Sequence, residues 1–208
     1  MNVLLINGSP HAAGCTFTAL SETAKALNEN GIATDIAQVG HTDVRGCTGC
    51  RKCAEAGKCV FDDIVNELAP RFAAADGLVI GSPVYYASPN GTLLAFLDRL
   101  FYSSHVDKTM KVGAAVVSAR RGGCTAAFDV LNKYFSISGR PIASSQYWNM
   151  VHGNSPAEAR QDAEGLQIMR ALGRNMAFLI KSIALGKERF GLPQKEPRIA
   201  TNFIRAST

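Results

Sequence analysis

The chain has 208 residues, of which 47% are hydrophobic and 19% charged, and its formal net charge is +5. These values are typical of one globular domain of moderate size, so we treat residues 1–208 as a single domain. The basic residues are scattered and no apolar run could cross a bilayer, so we expect neither a nucleic-acid nor a membrane partner. No secretory signal is visible, and we therefore expect a cytoplasmic protein whose six cysteines are thiols or metal ligands.

The first turn of the chain, residues 6–18, follows an apolar run at residues 3–6 and precedes a helical pattern that ends near Gly31. The unbroken apolar run predicts a strand buried in a parallel sheet. A loop of glycine and hydroxyl residues before a helix collects unpaired N–H groups, which suits a phosphate. Neither the P-loop nor the dinucleotide-binding motif is present. We expect a bound phosphate monoester that contacts Ser9 and Thr16, although an ordinary turn without a ligand remains open.

The middle of the chain begins with a predicted edge strand at residues 32–39, after which the regular pattern stops. Residues 40–61 form a cysteine-rich insert that contains Cys47, Cys50, Cys53 and Cys59. A helix is expected after Asp62 and Asp63, whose carboxylates suit a helix N-terminus, and Pro70 should kink it.

Two further buried strands are predicted at residues 77–81 and 111–118, each followed by an amphipathic helix, and a short last strand at 141–144. Strands that alternate with helices indicate a parallel sheet covered on both faces. Ligands bind such sheets at the carboxyl ends of the strands. Three loops rich in glycine, serine, proline and tyrosine should meet there: residues 8–16, 82–91 and 118–123.

The C-terminal part, residues 155–208, is predicted to be one long helix over residues 155–185 followed by an irregular tail. The tail ends in Phe203, Ile204 and Arg205. Large apolar residues at the end of a tail usually dock on their own domain or on a neighbouring subunit.

Three segments taken together resemble the NAD(P)H-dependent FMN reductases of the flavodoxin-like superfamily: GSPHAAGCT, CTGCRKCAEAGKCVFDD and GSPVYYASPNGTLLAFLDR. The spacing of the four cysteines resembles in particular that of the iron-sulfur flavoproteins. The resemblance covers roughly residues 1–150. It implies an α/β flavodoxin-like fold with a five-stranded parallel sheet in the order 2-1-3-4-5. It also implies non-covalent FMN at the carboxyl edge and a homodimer or homotetramer with the flavin near a subunit interface.

The resemblance also implies two sets of cofactor-binding residues. Those around the phosphate would be Ser9, His11, Cys15, Thr16 and Phe17. Those that frame the isoalloxazine ring would be Pro83, Val84, Tyr85, Tyr86, Ser118, Gly122 and Gly123. His11 stands where the family often has Arg or Lys, and Cys15 where it often has Asn.

Physical reasoning agrees with a flavin, because a flat apolar ring needs an aromatic or proline wall such as Pro83, Tyr85 and Tyr86 could form. Tyr147 and Trp148 are predicted either to cover the ring or to pack against the long helix. His105 and His152 are expected at surface positions.

Three functions are consistent with these residues. In the first, NAD(P)H reduces FMN by hydride transfer, and a quinone, nitro compound, azo dye or free flavin takes the electrons. The isoalloxazine performs this chemistry, so we expect no catalytic side chain. In the second, FMN and a [4Fe–4S] cluster relay electrons between protein partners. In the third, the four cysteines hold Zn²⁺ on a flavodoxin-like scaffold.

The spacing C-x2-C-x2-C with a fourth cysteine nearby is of the ferredoxin type, whereas structural zinc sites separate their cysteine pairs by about a dozen residues. A zinc site is therefore the least favoured of the three functions. The resemblance extends to plain flavoproteins in which the cysteines remain thiols or a redox-active pair. We predict FMN alone, with a [4Fe–4S] cluster on Cys47, Cys50, Cys53 and Cys59 as the alternative. Arg120 and Arg121, expected beside the flavin edge, favour NADPH over NADH.

Overall fold

A computed structural model describes residues 1–197 and Ile199, so the predicted docking residues Phe203, Ile204 and Arg205 lie outside the described part. The strands, in chain order, are β1 (Asn2–Asn7), β2 (Ala33–Gln38), β3 (Gly77–Tyr85), β4 (Ser88–Pro89), β5 (Val112–Ala119) and β6 (Met150–His152). The helices are α1 (Cys15–Glu29), α2 (Cys53–Ala56), α3 (Ile64–Ala74), α4 (Gly91–Ser103), α5 (Cys124–Ile137), α6 (Pro156–Ala159) and α7 (Ala163–Phe190).

The sheet has the order β2-β1-β3-β5-β6, and each of these neighbours is parallel to the next. This confirms the predicted flavodoxin-like order of five parallel strands. The additional strand β4 pairs antiparallel with the end of β3 and forms a hairpin off the sheet. The apolar runs of β1, β3 and β5 occupy the buried centre, and β2 lies at the edge, where its side chains are mostly accessible.

Two layers of apolar side chains join the sheet to its helices. On one face, α3, α4 and α5 contribute the buried rings of Phe72, Phe96 and Phe135. On the other, α1 and α7 pack through side chains that include Leu20 and Leu172. The helices therefore cover both faces of the sheet and leave its carboxyl edge to the loops.

The last strand differs from the prediction. At residues 141–144 there is only an isolated bridge between Ile142 and Gly113, and the strand proper is β6. Pro141 has no N–H to donate to a ladder. Asn149, by contrast, donates its side-chain amide to the backbone of β5 (3.0 Å), and regular pairing begins directly after it.

The predicted helix over residues 155–185 is in fact two helices. Ser155 caps α6 by accepting from the N–H of Glu158, and Asp162 caps α7 by accepting from the N–H of Gly165 (2.9 Å). A second cap so soon after the first interrupts the helical hydrogen bonds, and α7 then continues to its end without a break.

The helix that begins after Asp63 is present, with the Asp63 side chain accepting from the N–H of Val65 (3.1 Å), and it continues through Pro70.

Among the described helices, none combines the length and the apolar character that crossing a membrane requires.

The packing of α7 against α1 predicts opposite effects for two glycine substitutions in α7. A Cβ at Gly173 would lie 2.6 Å from the Ala26 Cβ and 2.8 Å from the Thr23 carbonyl oxygen, whereas a Cβ at Gly186 would meet nothing within 4 Å. Gly173→Ala should therefore lower the free energy of unfolding by about 1–3 kcal/mol. Gly186→Ala should raise it by about 0.5–1 kcal/mol, because glycine disfavours a helix. Urea unfolding measures both, and a fully stable Gly173→Ala variant would contradict this packing.

Candidate functional site

Hydrogen bonds join the first two loops at the carboxyl edge of the sheet. The N–H of Gly8 donates to the carbonyl of Gly81 (2.8 Å), and the Asn90 side-chain amide donates to the carbonyl of Gly8 (2.7 Å). Asn90 also donates its backbone N–H to the Ser82 hydroxyl (3.0 Å) and accepts from the N–H of Thr92 (3.0 Å), which caps α4. One buried side chain therefore fixes the first loop against the second and begins the next helix.

The ends of β1 and β2 hold the first loop from the other side. The Asn7 side chain accepts from the N–H of Ser9 (3.1 Å) and donates to the Gln38 side-chain oxygen (2.5 Å). The Gln38 amide donates in turn to the carbonyl of Ser9 (2.6 Å). Gly40 passes so close that a Cβ there would lie 2.2 Å from the Gly8 carbonyl oxygen. The backbone of the loop is thus held before any ligand binds.

The N-terminus of α1 offers free hydrogen-bond donors. The helix begins behind Gly14, which has no side chain to cap it. The N–H groups of Cys15, Thr16 and Phe17 precede the helical ladder, and the part of the chain that the structure describes provides no acceptor for them. The buried Ser9 lies in the same loop. Free N–H groups at the positive end of a helix dipole fit a phosphate group.

Thr16 connects the third loop to this cradle, because its Oγ1 lies 2.8 Å from Ser118 Oγ and both hydroxyls are buried. The other residues predicted around the phosphate contribute less. His11 is exposed. The Cys15 thiol donates to the carbonyl of the loop after β6 (3.5 Å), and burial raises its pKa. Phe17 lines a separate groove between α1 and the start of α7. The cradle therefore consists of backbone N–H groups and hydroxyls.

The β3–β4 hairpin carries the predicted wall of the ring. Its turn residues Tyr86 and Ala87 have φ values of 50° and 59°, a left-handed conformation that residues other than glycine seldom adopt. Tyr86 is fully exposed and Tyr85 is 44% exposed. A Cβ at Gly123 would lie 2.9 Å from Ala87 Cα and 3.0 Å from a Val84 methyl carbon. The third loop thus packs directly against the hairpin and leaves the tyrosines accessible.

The remaining ring-framing residues lie at the same end of β3 and β5. Pro83 and Ser118 are direct partners across these strands, and Gly122 is exposed in the third loop. Arg120 and Arg121 are exposed in that loop as well. The structure therefore brings the seven predicted ring residues to one edge, beside the phosphate cradle.

Tyr147 and Trp148 lie outside the three loops. They precede β6, their ring centroids are 5.1 Å apart, and both are more than half exposed. They lie before the residues of β6 that pair with β5, and the two roles predicted for them, covering the ring or packing against the long helix, stay predictions. His105 is exposed, as predicted.

A line of three polar side chains beside the third loop was missed by the sequence analysis. Cys124 Sγ lies 3.9 Å from His152 Nε2, and His152 Nδ1 lies 3.8 Å from Asp162 Oδ2, which also accepts the His152 N–H (2.7 Å). Burial raises the pKa of Cys124, so its thiol is a poor nucleophile at neutral pH. The Asp162 carboxylate thus holds the backbone of His152, and the imidazole lies between the carboxylate and the thiol. Only the pairing of His152 with Ala119 reveals the site, and the sequence does not show that pairing.

The four cysteines of the insert line one small cavity of about 20 Å³. Cys47 and Cys50 are exposed on irregular chain, Cys53 begins α2 and is buried, and Cys59 is half-buried. Within the described residues, no three His, Cys, Asp or Glu side chains converge on a single ion. Zinc would need its sulfurs about 2.3 Å from one point, whereas a four-iron cluster bonds each sulfur to a separate iron. Four cysteine thiols around one cavity are the donor set of a [4Fe–4S] cluster.

Hydrogen-bond donors approach three of these sulfurs. Cys47 accepts a backbone N–H at 3.5 Å, and Cys59 accepts from Nε of Arg99 at 3.3 Å. The backbone N–H of Lys52 lowers the pKa of Cys50. Donors directed at sulfur favour the thiolate form, which is the form that binds metal.

A larger cavity of about 840 Å³ lies away from the three loops, between α4 and α5. Its apolar lining includes Phe101, Tyr102, Tyr134 and Ile137. It adjoins the cysteine cavity, with which it shares Cys47 and Tyr102.

The parallel sheet, with an anion cradle and an aromatic hairpin at its carboxyl edge, defines a protein of the flavodoxin-like class. Residues 1–155 match the family model described as NADPH-dependent FMN reductase, and the chain belongs to that family. It is therefore a flavin-binding oxidoreductase, which confirms the resemblance seen in the sequence. All three loops and the cysteine insert lie within the matched residues.

Curated relatives are named iron-sulfur flavoproteins. One from Methanocaldococcus jannaschii is 29% identical and covers 88% of this chain and 99% of its own length. One from Methanosarcina thermophila is 25% identical and covers 91% of this chain and 100% of its own length.

Solved structures share the fold. RosB with bound 8-demethyl-8-formylriboflavin-5'-phosphate gives a TM-score of 0.70 at 14% identity over 100% of this chain and 95% of RosB. A WrbA-like flavodoxin from Agrobacterium tumefaciens gives a TM-score of 0.59 at 16% identity over 87% of this chain and 96% of its own.

The phosphate cradle predicts that Thr16→Val weakens cofactor binding. The loss of a hydrogen bond to a charged group is worth roughly 1.5–3 kcal/mol, or about tenfold to a hundredfold in the FMN dissociation constant. Thr23→Val is the matched control, because its buried hydroxyl bonds only the Ala19 carbonyl (3.0 Å) in the same helix. Flavin fluorescence titration of the apoprotein measures both constants. An unchanged constant for Thr16→Val, or FAD instead of FMN released by heat from the wild type, would contradict the assignment.

Proposed function

We propose that this protein is an FMN-dependent oxidoreductase that takes electrons from NAD(P)H and carries a [4Fe–4S] cluster in addition to its flavin. The observation that supports the flavin most directly is the set of free N–H donors at the start of α1, completed by the buried hydroxyls of Ser9 and Thr16. This cradle suits one phosphate. FAD has a pyrophosphate, for which proteins use a different glycine pattern that this chain lacks.

When bound, the isoalloxazine ring supplies the hydride and electron-transfer chemistry. The protein contributes binding and orientation. Pro83 and Tyr85 would support the ring, and the backbone of Gly122 and Gly123 would reach its polar edge. Tyr86, fully exposed in a strained turn, is well suited to cover the outer face, because strained residues cluster where a structure must present a ligand contact.

For the acceptor we propose a small flat molecule of the quinone, nitro, azo or flavin type. Such a molecule takes up a proton together with a hydride. His152, held by Asp162 beside the third loop and partly open to solvent, would hold that proton at Nε2. No other side chain of the site needs to react.

The cluster goes beyond the prediction of FMN alone that the sequence favoured. It is supported by four cysteines around one cavity, by the donors directed at their sulfurs and by the name of the curated relatives. A bound [4Fe–4S] cluster would supply transfer of single electrons. The second candidate is an FMN-only reductase with four free thiols, and the small volume of the cavity favours it.

We further propose a homodimer or homotetramer in the cytoplasm, where the free cysteines would stay reduced. Exposed large apolar side chains are typical of interfaces where they are contiguous. Tyr147 and Trp148 form one such pair, with ring centroids 5.1 Å apart, and the other exposed large apolar side chains include Tyr102, Ile137, Phe178, Leu185 and Phe190.

The two arginines of the third loop predict a preference for NADPH. A guanidinium fork on the 2′-phosphate should contribute roughly 1.5–3 kcal/mol, so Arg120→Ala or Arg121→Ala should lower kcat/KM for NADPH about tenfold to a hundredfold. The value for NADH should not change. Arg174→Ala, on the exposed side of α7, is the matched control. Steady-state kinetics with both nucleotides measures the preference, and equal kcat/KM values for NADPH and NADH in the wild type would contradict the predicted preference for NADPH.

The cysteine cavity predicts about four irons and four acid-labile sulfides per chain in protein purified without oxygen. Cys50→Ala should abolish a stable full complement of iron while the flavin remains. Cys124→Ala, whose thiol lies outside the insert, should retain the iron. Wild-type protein with a full complement of flavin and no iron would instead establish the FMN-only candidate.

A further inference from the structure

Arg99 occupies an unusual position in the middle of α4, beneath the cysteine insert, where its side chain is 0% exposed. A guanidinium has five N–H donors, and each of the five has an acceptor here. Nη1 and Nη2 donate to the two oxygens of Asp63 (2.6 and 2.9 Å). The same nitrogens donate to the carbonyls of Arg45 and Phe61 (3.3 and 3.2 Å), and Nε donates to Cys59 Sγ (3.3 Å).

Core packing does not account for this arrangement. A buried ion pair is often no more stabilising than apolar residues of similar volume, and a fully desolvated arginine is rare without a specific role. Four of the five acceptors, in Arg45, Phe61 and Asp63, fix both ends of the insert to α4. The fifth is the sulfur of Cys59, and this contact fixes the thiol itself.

The backbone of Cys59 is fixed as well. Its N–H donates to the Asn66 side-chain oxygen (3.0 Å), and its carbonyl accepts from the Asn66 amide (2.8 Å). Cys47 and Cys50, in contrast, are exposed on chain without regular secondary structure. The site is therefore built on one side, where backbone and sulfur are both fixed, and open on the other.

We propose that Arg99 is a positioning residue for the cysteine site, which fixes the Cys59 sulfur and raises the reduction potential of the cluster bound there. The inference rests on the proposed function, since it requires that the cysteines hold a cluster. Hydrogen bonds to ligand sulfurs and exclusion of solvent are among the main determinants of cluster potentials. A donor on the sulfur stabilises the reduced state, because reduction adds negative charge to the cluster and its ligands.

Replacing Arg99 alone would leave the Asp63 carboxylate without its partner, so the test replaces the pair. In Arg99→Met/Asp63→Asn, both charges are removed and methionine fills most of the volume. Asparagine can still cap α3, as Asp63 does by accepting from the N–H of Val65. Asp63→Asn alone separates the two changes, because it keeps Arg99 and its contact with Cys59 while the asparagine amide oxygen still accepts one N–H of the buried guanidinium.

The measurement is an EPR-monitored redox titration of anaerobically reconstituted holoprotein, with iron, sulfide and FMN contents determined on the same samples. We expect the double variant to retain FMN and to show a more negative cluster potential than both the wild type and Asp63→Asn. Loss of iron with FMN retained would follow from lost anchoring of the insert alone, and in that case the potential of Arg99→Lys decides the inference. Full iron and an unchanged potential in the double variant would overturn the inference and leave the proposed function intact.

Two other outcomes are also decisive. A wild-type protein that takes up no iron would overturn the proposed cluster and this inference together. If the double variant loses FMN and iron together, Arg99→Lys takes its place, because lysine keeps the charge beside Asp63 and cannot reproduce the fork and the Nε donor at once. An Arg99→Lys potential equal to that of the wild type would overturn the inference, and a more negative one would support it.

Discussion

The geometry of the carboxyl edge depends on the position of one residue, Gly8. Its N–H donates to the Gly81 carbonyl in the middle of β3, its carbonyl accepts the Asn90 amide, and the backbone of Gly40 lies close to its carbonyl. Because Asn90 also caps α4, the same contact aligns the first loop, the hairpin and the following helix. A free helix N-terminus binds anions only if the preceding loop is held open around it, and these contacts hold it open.

Helix α4 connects the two candidate sites. Asn90 at its start orders the flavin loops, and Arg99 in its middle holds the cysteine insert through Asp63 and Cys59. At a rise of about 1.5 Å per residue, the two anchors are roughly 14 Å apart along the helix. A single rigid element thus sets the distance between the flavin edge and the cysteine cavity, and this gives the insert a structural reason to lie where it does.

Periodicity and loop chemistry made the fold and the main loops predictable. The apolar runs of β1, β3 and β5 indicated buried parallel strands, and parallel strands require their following loops to share one edge. The helix caps and the exact residues of strand pairing were harder to predict from the sequence. Asp162 caps a new helix within a stretch whose apolar spacing predicts one continuous helix. The last strand of the sheet forms directly after Asn149 and not at Pro141, where it was predicted. Such choices depend on single side-chain contacts that a periodic pattern does not contain.

The residues of the candidate sites also differ in how far the sequence could predict them. Ser9 and Thr16 were predicted from the glycine and hydroxyl residues of the first loop, and Ser118 was predicted only through the family resemblance. Asn90, His152 and Arg99 were not, since their roles depend on partners that are distant in sequence. Cys15 and Phe17 were assigned to the phosphate through family resemblance, and their side chains point to other neighbours.

The most direct test of this account is an absorption spectrum of the protein purified without oxygen, recorded before and after the addition of NADPH. The account predicts flavin bands above a broad visible absorption, with the flavin bands bleached by the nucleotide. A colourless protein, or flavin bands that neither NADPH nor NADH changes, would contradict it.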